Sequence, residues 1–71
     1  MTPQTIAITA NGQSREVPEG ATLEDVVRDL KPDPRGVAAA VNDEVVPRHE
    51  WPTRRLVGGD RVEVLTAAQG G

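Results

Sequence analysis

The chain of 71 residues has no cysteine, no phenylalanine and no tyrosine, and a single tryptophan. Without cysteine there are no disulfides, no thiolate metal sites and no internal thiol nucleophile. One histidine cannot build a zinc cage of imidazoles. A lone aromatic leaves no platform on which successive bases could stack, and a balance of 8 Lys+Arg against 11 Asp+Glu, net -3, runs against the clustered positive charge that phosphate backbones need. No uninterrupted apolar run approaches a membrane span, and "MTPQTIAITANG" has neither the basic start nor the apolar block of a signal peptide. These absences lead us to expect a cytoplasmic protein that engages neither nucleic acid nor membrane.

What remains for a core is aliphatic: ten Val, four Leu and two Ile, with Trp51. Each would contribute roughly 1.5–3 kcal/mol if fully buried, and chain entropy offsets nearly all of it, so stability should be modest. The length is that of one small domain.

Thr5, Ile6, Ala7, Ile8, Thr9 and Ala10 alternate with period two and read as a strand. Asn11-Gly12 is a preferred pair for a two-residue hairpin turn, because both central residues need positive φ. A second strand over 13–17 is ended by Pro18. Thr22 then reads as a helix N-cap answered by Asp25 in a short capping box. Leu23, Val26, Val27 and Leu30 follow at i, i+3, i+4 and i+7, an apolar stripe, while Glu24 and Arg28 pair at i, i+4. The helix is expected over 22–31, stopped before Pro32.

Beyond a loop at 32–36, the small residues of 37–42 predict a strand lying close to the helix. Asn42-Asp43 turns the chain into a short strand at Val45-Val46, closed by Pro47. A single turn follows at 48–51, with Trp51 covering the core. Leu56-Val57 is a further apolar pair, Gly58-Gly59-Asp60 a tight turn, and 61–65 the last strand. The order ββαβ(β)β predicts an α+β protein: a ubiquitin-like β-grasp in which a mixed four- to five-stranded sheet packs on one main helix.

That expectation divides the chain into a β-grasp domain over 1–65 and a mobile tail over 66–71, "TAAQGG". Six extended residues reach about 20 Å, enough to pass down a narrow channel into another protein. Gly70 has no side chain and keeps the tail slim. The reactive group presented there is the carboxylate of Gly71, an anion at neutral pH. Such a carboxylate is a poor acyl donor until it attacks the α-phosphorus of ATP, with Mg²⁺ and cationic groups of a partner stabilising the transition state. The resulting acyl-adenylate can then pass its acyl group to sulfur or nitrogen.

The hairpin "NG", the helix "GATLEDVVRDL", then "VAAAVNDEVVPRHEW", "LVGGDRVEVL" and the terminal "GG" together resemble the ThiS family of sulfur carriers, ubiquitin-like β-grasp proteins of thiamine biosynthesis. The most discriminating part is "VN...VPR..W" followed by "GD.VE", which molybdopterin synthase small subunits, alike in fold and tail, generally lack. The resemblance implies that a ThiF-like adenylating enzyme activates Gly71 with MgATP. A cysteine desulfurase relay would supply sulfur as a persulfide, and a thiazole synthase would receive the thiocarboxylate. It implies a cosubstrate, not an enzyme, with no cofactor or metal of its own. Asn42, Pro47, Arg48, Trp51, Gly59 and Asp60 match the family pattern, and their simplest roles are turns and packing. His49 has no evident Ser or Cys partner. Some of Val45, Val46, Val57 and Val64 are candidates for an apolar docking patch on the exposed sheet face.

Two further readings stand beside this one. The same tail chemistry serves a carrier for molybdopterin, cysteine or another thio-metabolite, or a modifier joined to lysines as ubiquitin is. A β-grasp binding module with an inert tail is the third. Iron–sulfur β-grasp ferredoxins are excluded by the missing cysteines.

Overall fold

In the computed structural model of the chain, residues 4–33 and 35–66 are described. Strands β1 (Thr5–Ala10) and β2 (Gln13–Pro18) form the expected antiparallel hairpin, with Ala10 opposite Gln13 across a two-residue loop. Asn11 and Gly12 have φ of 51° and 82°, the paired positive values that match the twist of the flanking strands. Pro18 is the last residue of β2, one beyond the expected end, and pairs with Thr5. An edge strand tolerates proline, since its N–H is not needed by an inner neighbour.

Helix α1 (Leu23–Leu30) begins at the capping box read from the sequence. The Asp25 N–H donates to Thr22 Oγ1 at 3.3 Å and the Thr22 N–H donates to Asp25 Oδ2 at 3.0 Å. Two of the first-turn amides that a helix leaves without partners are thereby satisfied. At the other end Lys31 leaves the helical region (φ -136°, ψ 89°), as the residue before Pro32 is driven to do. Leu23, Val26 and Val27 are buried, and Leu30 packs against the same cluster.

Strands β3 (Val37–Val41) and β4 (Glu44–Val45) make a second hairpin, also on a two-residue loop, with φ of 51° at Asn42 and 70° at Asp43. That loop pairs Val41 with Glu44, so β4 starts one residue earlier than the Val45-Val46 expected. Val46 instead turns its side chain into the core. A 3-10 turn η1 (Arg48–Glu50) carries Trp51 under the helix, where its indole Nε1–H donates to the Val46 carbonyl at 2.9 Å. The loop after it is tied to the start of α1: Leu23 N–H donates to Arg54 O and Leu56 N–H to Ala21 O.

Strand β5 (Arg61–Thr66) completes a five-stranded sheet in the order β2-β1-β5-β3-β4. It runs parallel to β1 and antiparallel to β3. This mixed sheet on one helix is the ubiquitin-like β-grasp fold. The core lies between α1 and one sheet face, built from Ile8, Leu23, Val26, Val27, Val41, Leu56, Val62 and Val64 and closed by Trp51. Among the described residues no helix is long and apolar enough to cross a membrane.

Candidate functional site

The last described strand is also the central one, and its sequence decides which groups face which way. Val62 and Val64 are buried, while Arg61, Glu63 and Leu65 are exposed on the opposite face. In the plane of the sheet, β3 pairs with β5 along its whole length, from Val41 with Val62 to Val37 with Thr66. Thr66 is therefore part of the strand, opposite Val37, and the strand reaches one residue beyond the expected boundary at Leu65. Gly70 and Gly71, the residues on which the tail chemistry was placed, lie outside the described residues.

On its other side β5 has shorter support, because β1 ends at Ala10. There the turn residue Asn11 takes over. Its N–H donates to Val62 O at 2.9 Å, its Nδ2 donates to Val64 O at 3.1 Å, and its Oδ1 accepts from Val64 N–H at 2.8 Å. A carboxamide has one donor face and one acceptor, so it offers β5 what a peptide group of a longer β1 would have offered. Asn42 does the same at the far end on the β3 side. Its N–H donates to Arg61 O at 2.7 Å and its Oδ1 accepts from Arg61 N–H at 2.9 Å. Read from sequence, both asparagines were turn residues alone. Positive φ explains why each is tolerated at its turn; only the structure reveals that each side chain extends a ladder.

Asn42 also donates through Nδ2 to Asp60 Oδ1 at 3.0 Å, and Asp60 Oδ2 accepts from Val57 N–H at 2.9 Å. Asp60 is a buried carboxylate with both oxygens engaged. The turn and packing roles expected of Asn42, Asp60 and Trp51 are the ones observed. Arg48 lies over the Trp51 ring, 5.3 Å from its centroid, a cation–π distance. His49 is exposed, with Glu50 the acidic group beside it. Gly59 has φ of 89° and its N–H donates to Ala7 O, which accounts for glycine at that turn.

On the outer face an apolar strip runs from the root of the tail to the sheet edge. Leu65 stands opposite Ala38, and Ala40 opposite Val45. Ala38 and Ala40, two residues apart, point the same way. Leu65 is 65% exposed and Val45 74%. Of the four valines considered for a docking patch, Val46 and Val64 are buried in the core, and Val57 is exposed on the loop before β5. Leu65 was not among them. Counting it as the end of an alternating strand, out of phase with Val62 and Val64, would have found it.

The Asp43 carboxylate ion-pairs with Arg61 and holds its guanidinium above the usual arginine range, with Glu63 adding to the effect. A cleft of about 480 Å³ lies between β2 and α1 and is lined by Arg15, Val17, Asp25, Val26 and Asp29 among others. Strand β1 separates it from β5. Among the described residues no cluster of His, Asp and Glu could hold a metal ion.

The comparisons with known proteins agree with the fold. A family model described as "ThiS family" matches residues 4–71, and so includes Gly70 and Gly71. The protein named sulfur carrier protein ThiS of Thermus thermophilus is 41% identical over 61 residues, which is 86% of this chain and 94% of that one. The protein of the same name from Escherichia coli is 28% identical over 64 residues, covering 90% of this chain and 97% of that one. A crystal structure of the thiamine biosynthesis protein ThiS from Geobacter metallireducens matches with a TM-score of 0.76 at 28% identity, over 93% of this chain and 100% of that chain. The chain belongs to the ThiS family.

Proposed function

We propose that this protein carries sulfur as a thiocarboxylate on Gly71 and delivers it for assembly of the thiamine thiazole. A carboxylate oxygen of Gly71 attacks the α-phosphorus of ATP in a ThiF-like partner, and pyrophosphate leaves. A sulfur nucleophile then attacks the acyl carbon and expels AMP. The terminal sulfur of a cysteine persulfide, fed by a cysteine desulfurase relay, forms that bond as an acyl disulfide, and a partner thiolate then attacks the donor cysteine's sulfur, forming a disulfide with it and releasing Gly71 as the thiocarboxylate. A thiazole synthase takes the sulfur, and an oxygen from the acceptor substrate or from water restores the carboxylate. The partner supplies MgATP and the groups that stabilise the transferring phosphoryl; this chain supplies the acyl group. It is a cosubstrate and not a catalyst.

The observation that carries the reading is the match of the family model through Gly71, joined to a sheet whose central strand ends at Thr66. Two backbone-only residues at the tip suit a channel too narrow for side chains. The apolar strip from Leu65 to Val45 begins at the base of the same segment, so a partner resting on it would have the tail within about 20 Å of its surface.

The test is the intact mass of the full chain after incubation with MgATP, a ThiF-like enzyme and a persulfide source, beside a form lacking Gly70-Gly71. Replacement of one oxygen by sulfur, localised to Gly71 and absent from the truncated form, is the expected result. An unchanged mass with an enzyme that is active on another carrier would leave an inert tail as the better account.

A further inference from the structure

We propose that Asn11 is a positioning residue for the root of the tail: its carboxamide, bonded to both main-chain groups of Val64, fixes the end of β5 from which the chain departs toward the adenylating partner. The proposal rests on Gly71 being the acyl group that is activated.

The even-numbered residues of β5 turn their main-chain groups toward β1. Asp60 O accepts from Thr9 N–H, Val62 O from Asn11 N–H, and Val64 uses both its N–H and its C=O on the Asn11 side chain. The odd-numbered residues face β3, as the Asn42 to Arg61 bond shows. So β5 is gripped from both sides as far as Val64, and beyond it from the β3 side alone, through the pairing of Leu65 with Ala38. Were Asn11 unable to reach, two-sided support would stop at Val62. The four residues Glu63, Val64, Leu65 and Thr66 would then hang from β3 alone, free to twist about that single ladder.

The turn itself does not demand asparagine. Gly-Gly and Asp-Gly close the same two-residue loop, and glycine accepts the observed φ of 51° more easily than asparagine does. What those residues lack is a side chain that donates and accepts at once. Aspartate would keep the acceptor for Val64 N–H and set a carboxylate against the Val64 carbonyl. Glycine would remove both bonds. The pair of variants thus separates the turn from the clamp.

Adenylation in line at phosphorus is sensitive to aim. Misplacement by about 1 Å can cost on the order of 10²-fold in rate. Docking on the outer-face strip of Leu65, Ala38, Ala40 and Val45 would not draw on the Asn11 carboxamide, which is engaged with Val64. The experiment uses the full chain, a ThiF-like enzyme and MgATP, with the rate of pyrophosphate release followed against carrier concentration. Asn11→Gly, Asn11→Asp and wild type are compared with Val17→Ala, a core change in β2 with β1 between it and β5. Amide exchange at Val64 is followed in parallel. We expect Asn11→Gly to lower kcat about tenfold or more with KM unchanged, with faster exchange at Val64, and Val17→Ala to leave kcat alone.

Equal kcat in wild type and both Asn11 variants, all folded by circular dichroism, would overturn the proposal. A rise in KM with kcat constant would overturn it too, by making Asn11 a docking residue, and so would an equal loss of kcat in Val17→Ala, by making the effect one of general stability. Failure of the wild-type chain itself to be adenylated overturns the sulfur-carrier reading and the positioning role with it.

Discussion

Asn42 and Asp60, eighteen residues apart, are joined by a 3.0 Å bond from the Asn42 carboxamide to Asp60 Oδ1. The other carboxylate oxygen accepts the Val57 N–H at 2.9 Å. One side chain thus links the β3–β4 turn to the loop that feeds β5, and it does so while 7% exposed. Every side-chain polar atom buried among the described residues has a partner, so removal of this one has a defined consequence. Asp60→Ala leaves a carboxamide donor and a main-chain N–H without acceptors at a half-buried site, and should destabilise the fold by about 1–3 kcal/mol. Asp60→Asn, which retains one acceptor, should cost less. Urea unfolding of both variants checks the order; a neutral Asp60→Ala would show that water replaces the carboxylate freely.

Trp51 makes a second linkage of the same kind. Its ring is 4% exposed and its indole N–H reaches the Val46 carbonyl. Trp51→Phe keeps an aromatic in the core but gives up that bond and some volume, whereas Trp51→Ala opens a cavity. We expect a loss of about 1–3 kcal/mol for phenylalanine and of about 3–5 kcal/mol for alanine. In a chain this small the second figure approaches the whole stability. Thermal melts by far-ultraviolet circular dichroism, which do not depend on the tryptophan signal, test the ranking; a Trp51→Phe variant that melts with wild type would remove the indole bond from the account, and equal melting of the two variants would remove the cavity.

Much of this fold is legible in residues alone because its signals are local. The period-two alternation of 5–10, Asn-Gly, the Thr22–Asp25 box and the stripe Leu23, Val26, Val27, Leu30 each need only a few neighbours to be read. The one-residue shift of β4 is local as well: it begins at Glu44 because the turn length sets the register, a constraint stronger than the apolar pair Val45-Val46. What sequence did not disclose is long-range. Asn11 and Val64 are 53 residues apart, and no pattern within either segment says that a turn side chain will complete the ladder of the last strand. The same holds for the outer strip, where Leu65, Ala38, Ala40 and Val45 become neighbours only through the pairing of three strands. Exposure of Val45 and burial of Val46 follow from which face each strand residue takes once that register is known.

The α1–β3 loop offers a test by pH. The Arg35 side chain donates to both carboxylate oxygens of Asp33, its Nη2 at 2.8 Å from Oδ2. That bond, helped by the Arg35 N–H and by the charge of Arg48, holds the Asp33 carboxyl below the ordinary aspartate value of 3.8. A group whose folded pKa is lowered stabilises the fold above its unfolded pKa and loses that contribution as pH falls through the lowered value. The site is solvent-exposed, so the effect on global stability is small; the titration itself is the sensitive readout. Arg35→Ala should move the Asp33 midpoint upward toward 3.8, observed at the carboxyl carbon by NMR. An unmoved midpoint would mean that the pair does not persist in solution.

The outer face carries the remaining prediction, which rests on the sulfur-carrier reading. Leu65 and Val45 are the most exposed large aliphatic side chains of the sheet, and Ala38 and Ala40 connect them. Neither contributes to the core, so Leu65→Glu and Val45→Glu should leave the unfolding midpoint within about 0.5 kcal/mol of wild type, as surface changes do. If a partner buries this strip, each charge is desolvated without a counter-charge, and binding should weaken by about tenfold or more, the scale of residues that matter at an interface. Ser14→Glu, on β2 with β1 intervening before β5, is the matched charge change away from the strip. Titration calorimetry against the ThiF-like enzyme separates the cases. Weakening by Leu65→Glu and Val45→Glu but not by Ser14→Glu places the partner over the tail's root, with Asn11 then free to govern aim and not affinity. Equal weakening by all three would instead assign the loss to net charge, since a chain already at -3 becomes more repellent to an acidic partner wherever the charge is added.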